Sequence, residues 1–93
     1  MTIAIVVHEV EAGDVWAKAW RSGAGSRHEM FSRIGVTCRP FRDPDNKNIT
    51  GLLMDIPDIA KFKTLLDSPE GKAAMREDGL KVETMRFLTE FTP

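Results

Sequence analysis

The chain has 93 residues, of which 42% are hydrophobic and 29% are charged, and its formal net charge is −1. This length and balance predict one globular domain over residues 1–93 and exclude an intrinsically disordered chain. Thirteen Lys and Arg residues stand against fourteen Asp and Glu residues without forming a basic stripe. We therefore expect neither nucleic acid nor an anionic membrane surface as a partner.

Short apolar runs and a single cysteine restrict the expected compartment. The longest apolar run covers about five residues, far fewer than a membrane-spanning helix needs. The N-terminus lacks the basic segment and the small-residue cleavage site of a signal peptide. Cys38 is the only cysteine, which excludes an internal disulfide and agrees with a reducing cytoplasm. These features together predict a cytoplasmic protein.

The chain begins with a predicted strand over residues 2–10, followed by a turn that ends at Gly13. Asp14 is a suitable N-cap for the first helix, which carries Trp16 and Trp20 four residues apart on one face.

The segment "RSGAGS" then interrupts this helix, because two glycines so close together weaken helical structure. Ser26 and Glu29 have the spacing of a capping box. A second helical piece is therefore expected over residues 27–34, ending at Gly35. The pattern predicts either one kinked helix or two short ones.

A hairpin is predicted next, with strands at residues 36–42 and 49–56. The connecting segment "DPDNKN" places Pro44 where a type I turn favours proline.

The last part of the chain predicts helical structure and a final strand. Pro57 suits the first turn of a helix with an apolar face, Ser68 and Pro69 begin a further helical piece, and Gly79 ends it. The final strand is expected over residues 81–91.

The predicted order is β-α-β-β-α-β, which is typical of an α+β, ferredoxin-like fold. Such a fold has a four-stranded antiparallel sheet with its helical segments on one face. The strands "IAIVVHEV" and "ITGLLMDI" are nevertheless apolar on both faces. The uncovered face favours a homodimer in which a second copy packs against it by two-fold symmetry. The alternative is that long Arg, Lys and Glu side chains cover this face.

The chain resembles the dimeric α/β-barrel superfamily, and more closely the small, mostly uncharacterised proteins grouped with antibiotic biosynthesis monooxygenases. The stretches that carry the resemblance are "VVHEV", "FRDPDNKNITGLL" and "LLDSPEGKAAMREDG", which span most of the chain. The resemblance implies two sheets packed face to face as a homodimer. It also implies a pocket between the sheet and the helices of each subunit.

Several residues of related enzymes are missing here. Quinone-forming, cofactor-free monooxygenases of this kind line their pocket with Asn, Trp and Tyr, whereas this chain has no Tyr and no Asn on the first strand. Haem-degrading relatives carry a haem-ligating His on the second helical region, and no His occurs between Asp58 and Gly79. We therefore expect neither haem nor another cofactor. The spacing of His8, His28 and Cys38 also does not favour a metal site.

His8 is the first candidate for a functional residue. It shares a strand face with Ala4, Val6 and Val10, where a buried imidazole needs hydrogen-bond partners. It is predicted to act as a general base or to hold a hydroxyl group of a ligand. The alternative is a structural histidine bonded to a neighbouring side chain.

Four further residues are candidates for ligand binding. Arg27 and His28 could hold a carboxylate or phenolate at the mouth of the pocket. The alternative for Arg27 is a side chain that extends to solvent while Glu29 pairs with Arg33. Trp16 and Trp20 could stack on a planar ligand or simply fill the core. Cys38 is not expected to act as a nucleophile, because no His and Asn pattern accompanies it.

Two functions agree with these observations. The first is a cofactor-independent monooxygenase-like, isomerase-like or cyclase-like enzyme that acts on a small aromatic or polyketide-like compound, with His8 moving protons. The second is a non-catalytic module of the same fold that binds a small hydrophobic ligand or takes part in a stress response. Polar groups converging on an apolar pocket would favour a binding or catalytic site.

Overall fold

The computed structural model describes residues 1–93 and confirms the α+β, ferredoxin-like fold. Each predicted helical segment consists of two helices, so the order is β-α-α-β-β-α-α-β. The elements are β1 (Thr2–Val10), α1 (Gly13–Ala19), α2 (Arg27–Ser32), β2 (Thr37–Arg42), β3 (Ile49–Ile56), α3 (Ile59–Asp67), α4 (Pro69–Glu77) and β4 (Leu80–Thr89).

The four strands form one antiparallel sheet in the order β2-β3-β1-β4. One face packs under the helices, and the buried residues of β1 and β3 alternate with more exposed ones. Pro40 lies on the edge strand β2, where a missing N–H does not break the sheet. No helix is long and apolar enough to cross a membrane.

The first helix begins differently from the prediction. Asp14 is not its N-cap: the cap position is Ala12, whose side chain makes no capping hydrogen bond. The N–H of Gly13 instead donates to Asn48 Oδ1 at 2.8 Å. A Cβ atom at position 13 would collide with the carbonyl of Lys47, so only glycine lets the helix start approach the hairpin this closely.

Two short helices, rather than one kinked helix, make up the first crossover. Ser26 caps α2 by accepting from the N–H of Glu29 at 3.3 Å, as predicted. The reciprocal capping bond does not form, because the Glu29 carboxylate accepts from the N–H of Gly25 instead. Helix α2 ends at Ser32, two residues before the predicted end.

The second crossover contains two helices that share a boundary residue. Asp58 caps α3, so Pro57 precedes the helix instead of lying in its first turn. Ser68 ends α3 and caps α4 by accepting from the N–H of Gly71 at 3.0 Å. A Cβ atom at position 71 would collide with the carbonyl of Leu65, so this glycine lets the two helices approach closely.

The covered and open faces of the sheet differ sharply in exposure. Thirteen buried hydrophobic residues form the core between the sheet and the helices. The open face carries large apolar side chains that remain 39–57% exposed, namely Ile5, Val7, Phe41 and Leu88.

Candidate functional site

A cavity of about 240 Å³ lies between the covered face of the sheet and the helices. Most of its lining is apolar, and the only charged side chains in its wall belong to Arg27, Lys63 and Asp78. His8 also lines it, from near the carboxyl end of β1. An apolar cavity of about 150 Å³ can hold benzene, so this one has room for a larger aromatic molecule.

His8 is held by Thr50, its partner across the β1–β3 pair. The ring nitrogen Nδ1 lies 2.5 Å from Thr50 Oγ1. The same hydroxyl donates to the backbone carbonyl of His8 at 3.0 Å. His8 and Thr50 are only 3% and 2% exposed, so the imidazole is fixed in place by a pair of buried contacts.

Burial determines the charge of His8. Desolvation lowers the pKa of the imidazole below its ordinary value of 6.5, against smaller opposing effects of its own backbone carbonyl and of Asp78. His8 is therefore neutral at pH 7. The ring nitrogen Nε2 makes no hydrogen bond within the protein, and it is not completely shielded from solvent. A neutral imidazole thus presents this nitrogen to the cavity.

An irregularity in β4 lies opposite His8. Val7 pairs with Arg86 and Glu9 pairs with Lys81, so the register shifts across His8. The N–H of Glu9 donates to Thr84 Oγ1 at 2.9 Å where a regular ladder would use a backbone carbonyl. Bulges of this kind redirect side chains and are frequent beside active sites. Here the shifted segment includes Met85, which lines the cavity.

Arg27 lines the cavity, but its charge is already paired. Its Nε and Nη2 atoms each donate to a different oxygen of Asp78 at 2.9 Å, and Nη2 also donates to Glu77 at 3.1 Å. These hydrogen bonds, with that to Asp78 the strongest cause, raise the pKa of Arg27 above its ordinary value. The guanidinium therefore joins α2 to the end of α4 instead of presenting free donors to a ligand.

The alternative ion pair proposed for this helix is wrong. Glu29 does not bind Arg33, because its carboxylate caps the loop at Gly25. Arg33 instead donates to Glu70 at 2.6 Å across the groove between α2 and α4.

His28 lies away from the cavity. It is half-buried, and its ring meets the edge of Trp20 with the two ring centroids 5.1 Å apart. It is not part of the cavity wall. The structure therefore separates His28 from His8, although both were candidates for one site.

Both tryptophans belong to the core and also line the cavity. Trp16 meets His8 edge-on at 6.1 Å, and Trp20 stacks on Phe31 at 5.8 Å. Together with two further phenylalanines they form a continuous series of contacting rings, which we call the aromatic wall: His8, Trp16, Trp20, Phe31, Phe62 and Phe87.

The exposed part of the cavity lining lies on α3 and β4. Three residues of its lining are exposed at this point: Ile59 and Lys63 on α3, and Phe87 on β4. A ligand would therefore pass an apolar rim that carries one ammonium group before it reaches His8.

Cys38 is a partly buried residue of β2. Burial raises the pKa of the Cys38 thiol to about 12, so it stays protonated at neutral pH and is a poor nucleophile. No three or more His, Cys, Asp and Glu side chains come together as a metal-binding group.

Two residues of the site were missed by sequence reasoning. Thr50 and Asp78 are separated by 42 and 51 residues from the side chains that they bind. For Thr50 a signal existed, because a polar residue stands on the otherwise apolar face of β3. For Asp78 the local sequence offers no comparable signal, since "REDG" also fits an ordinary helix end.

The fold was compared with known proteins. No family model and no curated protein matches the chain. The solved structures that match its fold include the following two. One is an antibiotic biosynthesis monooxygenase, with a TM-score of 0.69 and 12% identity over 100% of this chain and 99% of that one. The other is a proposed antibiotic biosynthesis monooxygenase from Nitrosomonas europaea, with a TM-score of 0.69 and 13% identity over 99% and 98% of the two chains.

Proposed function

We propose that the protein binds a small, neutral aromatic or polyketide-like compound in its cavity and that His8 removes a proton from it. The observation that carries this proposal is a neutral imidazole nitrogen facing a mostly apolar cavity. Convergence of a few polar groups on apolar walls is typical of small-molecule sites. The fold shared with two structures named as antibiotic biosynthesis monooxygenases supports a monooxygenase-like reaction.

The aromatic wall supports a planar ligand. Ring edges and faces of six side chains surround the space, and a flat aromatic molecule can contact them at low entropic cost. Because Arg27 is paired with Asp78, an anionic ligand would have to compete with a carboxylate already in place. A neutral ligand with a hydroxyl group fits this environment better than the carboxylate or phenolate that the sequence indicated for Arg27 and His28.

His8 supplies the base for such a reaction. With 1-naphthol as a model compound, Nε2 accepts the hydroxyl proton and leaves an electron-rich naphtholate. Molecular oxygen then attacks the ring carbon opposite the oxygen substituent. Loss of water gives 1,4-naphthoquinone, so one oxygen atom enters the product and the other leaves as water. The naphthol supplies all the electrons, and the proton taken by His8 leaves with the water.

Binding can be tested by calorimetry with 1-naphthol. Ala74 on α4 lines both the cavity and the outer groove between α2 and α4, whereas its neighbour Ala73 lines the groove and not the cavity. We expect Ala74→Leu to weaken binding at least tenfold by filling the cavity, and Ala73→Leu to leave it unchanged. Equal affinity in the wild type and both variants would place the ligand elsewhere and contradict the proposal.

Turnover is tested separately, by the absorbance of naphthoquinone and by oxygen uptake. Wild-type protein is expected to form quinone and consume oxygen in equal amounts, and His8→Gln to do neither. Binding without turnover in the wild type would favour the second candidate function, a non-catalytic ligand-binding or stress-response module. His8 would then only hold the ligand hydroxyl.

We also propose that the open face of the sheet is the interface of a homodimer. Ile5 and Leu88 pair across β1 and β4 and are 47% and 57% exposed. Beside them, the guanidinium of Arg39 lies 5.7 Å from the ring of exposed Phe41. A second copy would cover these apolar side chains.

Sedimentation at micromolar concentration tests the homodimer. The wild type is expected to sediment at twice its chain mass of 10.4 kDa. The double variant Ile5→Asp with Leu88→Asp should sediment as a single chain, because it would place charges in the interface. A wild type that remains a single chain would overturn the proposed interface.

A further inference from the structure

We infer that Thr50 fixes which nitrogen of His8 carries the proton, and that it thereby makes the cavity select a ligand that donates a hydrogen bond. The part of this inference that concerns the ligand rests on the proposed function. The part that concerns the proton rests only on the contacts between Thr50 and His8.

The geometry of the Thr50 hydroxyl decides where its single proton lies. Oγ1 is 3.0 Å from the carbonyl oxygen of His8 and 2.5 Å from Nδ1 of the same residue. If the hydroxyl donated to Nδ1, two oxygen atoms would face each other at 3.0 Å without a proton between them and would repel. If it donates to the carbonyl, Nδ1–H can donate to Oγ1, and both contacts become hydrogen bonds.

The second arrangement is therefore the stable one, because Nδ1–H, the Thr50 hydroxyl and the His8 carbonyl are all paired in it. A chain of two hydrogen bonds runs from Nδ1–H through the hydroxyl to the carbonyl, in a place where both residues are buried. The bond made by one imidazole nitrogen determines the state of the other. In the neutral ring, Nε2 then carries only a lone pair.

The cavity consequently presents a hydrogen-bond acceptor, Nε2 of His8, to a ligand. The charged groups around His8 do not alter this, since Arg27 and Asp78 bind each other and Lys63 lies at the exposed rim. A ligand hydroxyl or N–H group can donate to Nε2. A fluorine, ether or carbonyl in the same position would meet the lone pair and lose that bond. We expect a donor to bind about ten to one hundred times more tightly than a ligand of equal shape without one.

The first experiment locates the proton without any ligand. In protein labelled with ¹⁵N-histidine, the two nitrogens of a neutral imidazole have well-separated shifts that show which one is protonated. His8→Gln and His28→Gln assign the two rings. We expect the proton on Nδ1 in the wild type and in Thr50→Ser, which keeps the hydroxyl. Thr50→Val has nearly the same shape and should shift the proton toward Nε2.

A proton on Nε2 in the wild type would overturn the inference. An unchanged Nδ1 proton in Thr50→Val would also overturn it, because the hydroxyl would then have no influence. Circular dichroism and thermal unfolding of each variant show whether it is folded, and the wild-type shifts test the position of the proton whether or not the valine variant folds.

The second experiment compares 1-naphthol with 1-fluoronaphthalene, which are nearly equal in size but differ in the hydrogen-bond donor. The wild type and Thr50→Ser should prefer the naphthol by about ten- to one-hundredfold, and Thr50→Val should reduce this preference. Equal affinities in the wild type would overturn the selectivity. If neither probe binds, the proposed ligand class and the selectivity both fail, while the ¹⁵N shifts still decide the position of the proton.

Discussion

The two faces of the sheet are built from the same strands and are similarly apolar, but they differ in what lies against them. On the covered face, Ala4, Val6 and Met54 are at most 5% exposed, beneath helices that also enclose a cavity. On the open face, Ile5 and Val7 alternate with those residues along β1 and remain 47% and 39% exposed. Alternate residues of a strand point to opposite faces of the sheet. What covers an apolar side chain here therefore depends on whether its position is odd or even, not on its hydrophobicity.

The comparison also explains where the polar groups lie. The covered face tolerates His8 and Thr50 because each satisfies the other inside the core. The open face instead keeps an unpartnered carboxylate oxygen on Asp55. The polar pair on the covered face therefore needs no further partner, whereas the Asp55 oxygen makes no hydrogen bond in the single chain.

The largest expected effect contrasts two isoleucines on opposite faces. Ile56 is fully buried, so Ile56→Ala should lower the free energy of unfolding by about 2–5 kcal/mol. Ile5→Ala should cost less than about 1 kcal/mol in the single chain, because nearly half of the side chain is already exposed. Denaturant unfolding measures both.

Repeating this measurement over a range of protein concentrations sharpens the contrast. A cost of Ile5→Ala that grows with concentration would reveal coverage by a second copy. Equal costs for the two variants at low concentration would contradict the assignment of the faces.

The next effect concerns two ion pairs that both join α2 to α4. The side chains of Arg27 and Asp78 are 15% and 9% exposed, and those of Arg33 and Glu70 are 60% and 51% exposed. Arg27→Met should cost about 2–4 kcal/mol, because it leaves a nearly buried carboxylate unpaired. Arg33→Met is the matched control and should cost less than about 1 kcal/mol. Similar losses in thermal unfolding would show that Asp78 is better solvated than its position indicates.

A smaller effect is expected from pH. Because burial lowers the pKa of His8 below 6.5, the unfolded chain binds more protons than the folded one just below that pH. The free energy of unfolding should therefore fall as the pH drops below 6.5, by at most about 1.4 kcal/mol per unit, until the lowered pKa is reached. His8→Gln should remove this slope, and His28→Gln, which removes the only other imidazole, is the control. A slope that persists in His8→Gln would assign it to another group.

Local patterns in the sequence were sufficient for the strands, for the caps at Ser26 and Ser68 and for the strand face that holds His8. Each of these depends on residues close together in the chain. The cap of α1 was mispredicted because Asn48, from the hairpin, takes the place that Asp14 was expected to fill. That contact is made by a residue distant in sequence, which no local pattern reveals.

The composition of the site was less predictable than its position. His28 was predicted to lie with Arg27 at the mouth of the pocket, but adjacent helical residues point about 100° apart. Arg27 reaches the cavity wall, while His28 packs perpendicular to the ring of Trp20 and is not part of that wall. The pairing of Arg27 with Asp78 and the shift in β4 beside His8 both depend on how the strands and helices assemble.

The most direct test of the account follows the two tryptophans during a titration with 1-naphthol. Trp16 and Trp20 are the only tryptophans, and both line the cavity, so the ¹H–¹⁵N spectrum contains two indole signals that report on it. We expect both signals to shift on binding in the wild type and neither to shift in Ala74→Leu. Two signals that stay in place while the wild type binds naphthol would contradict the claim that the covered face holds the ligand site.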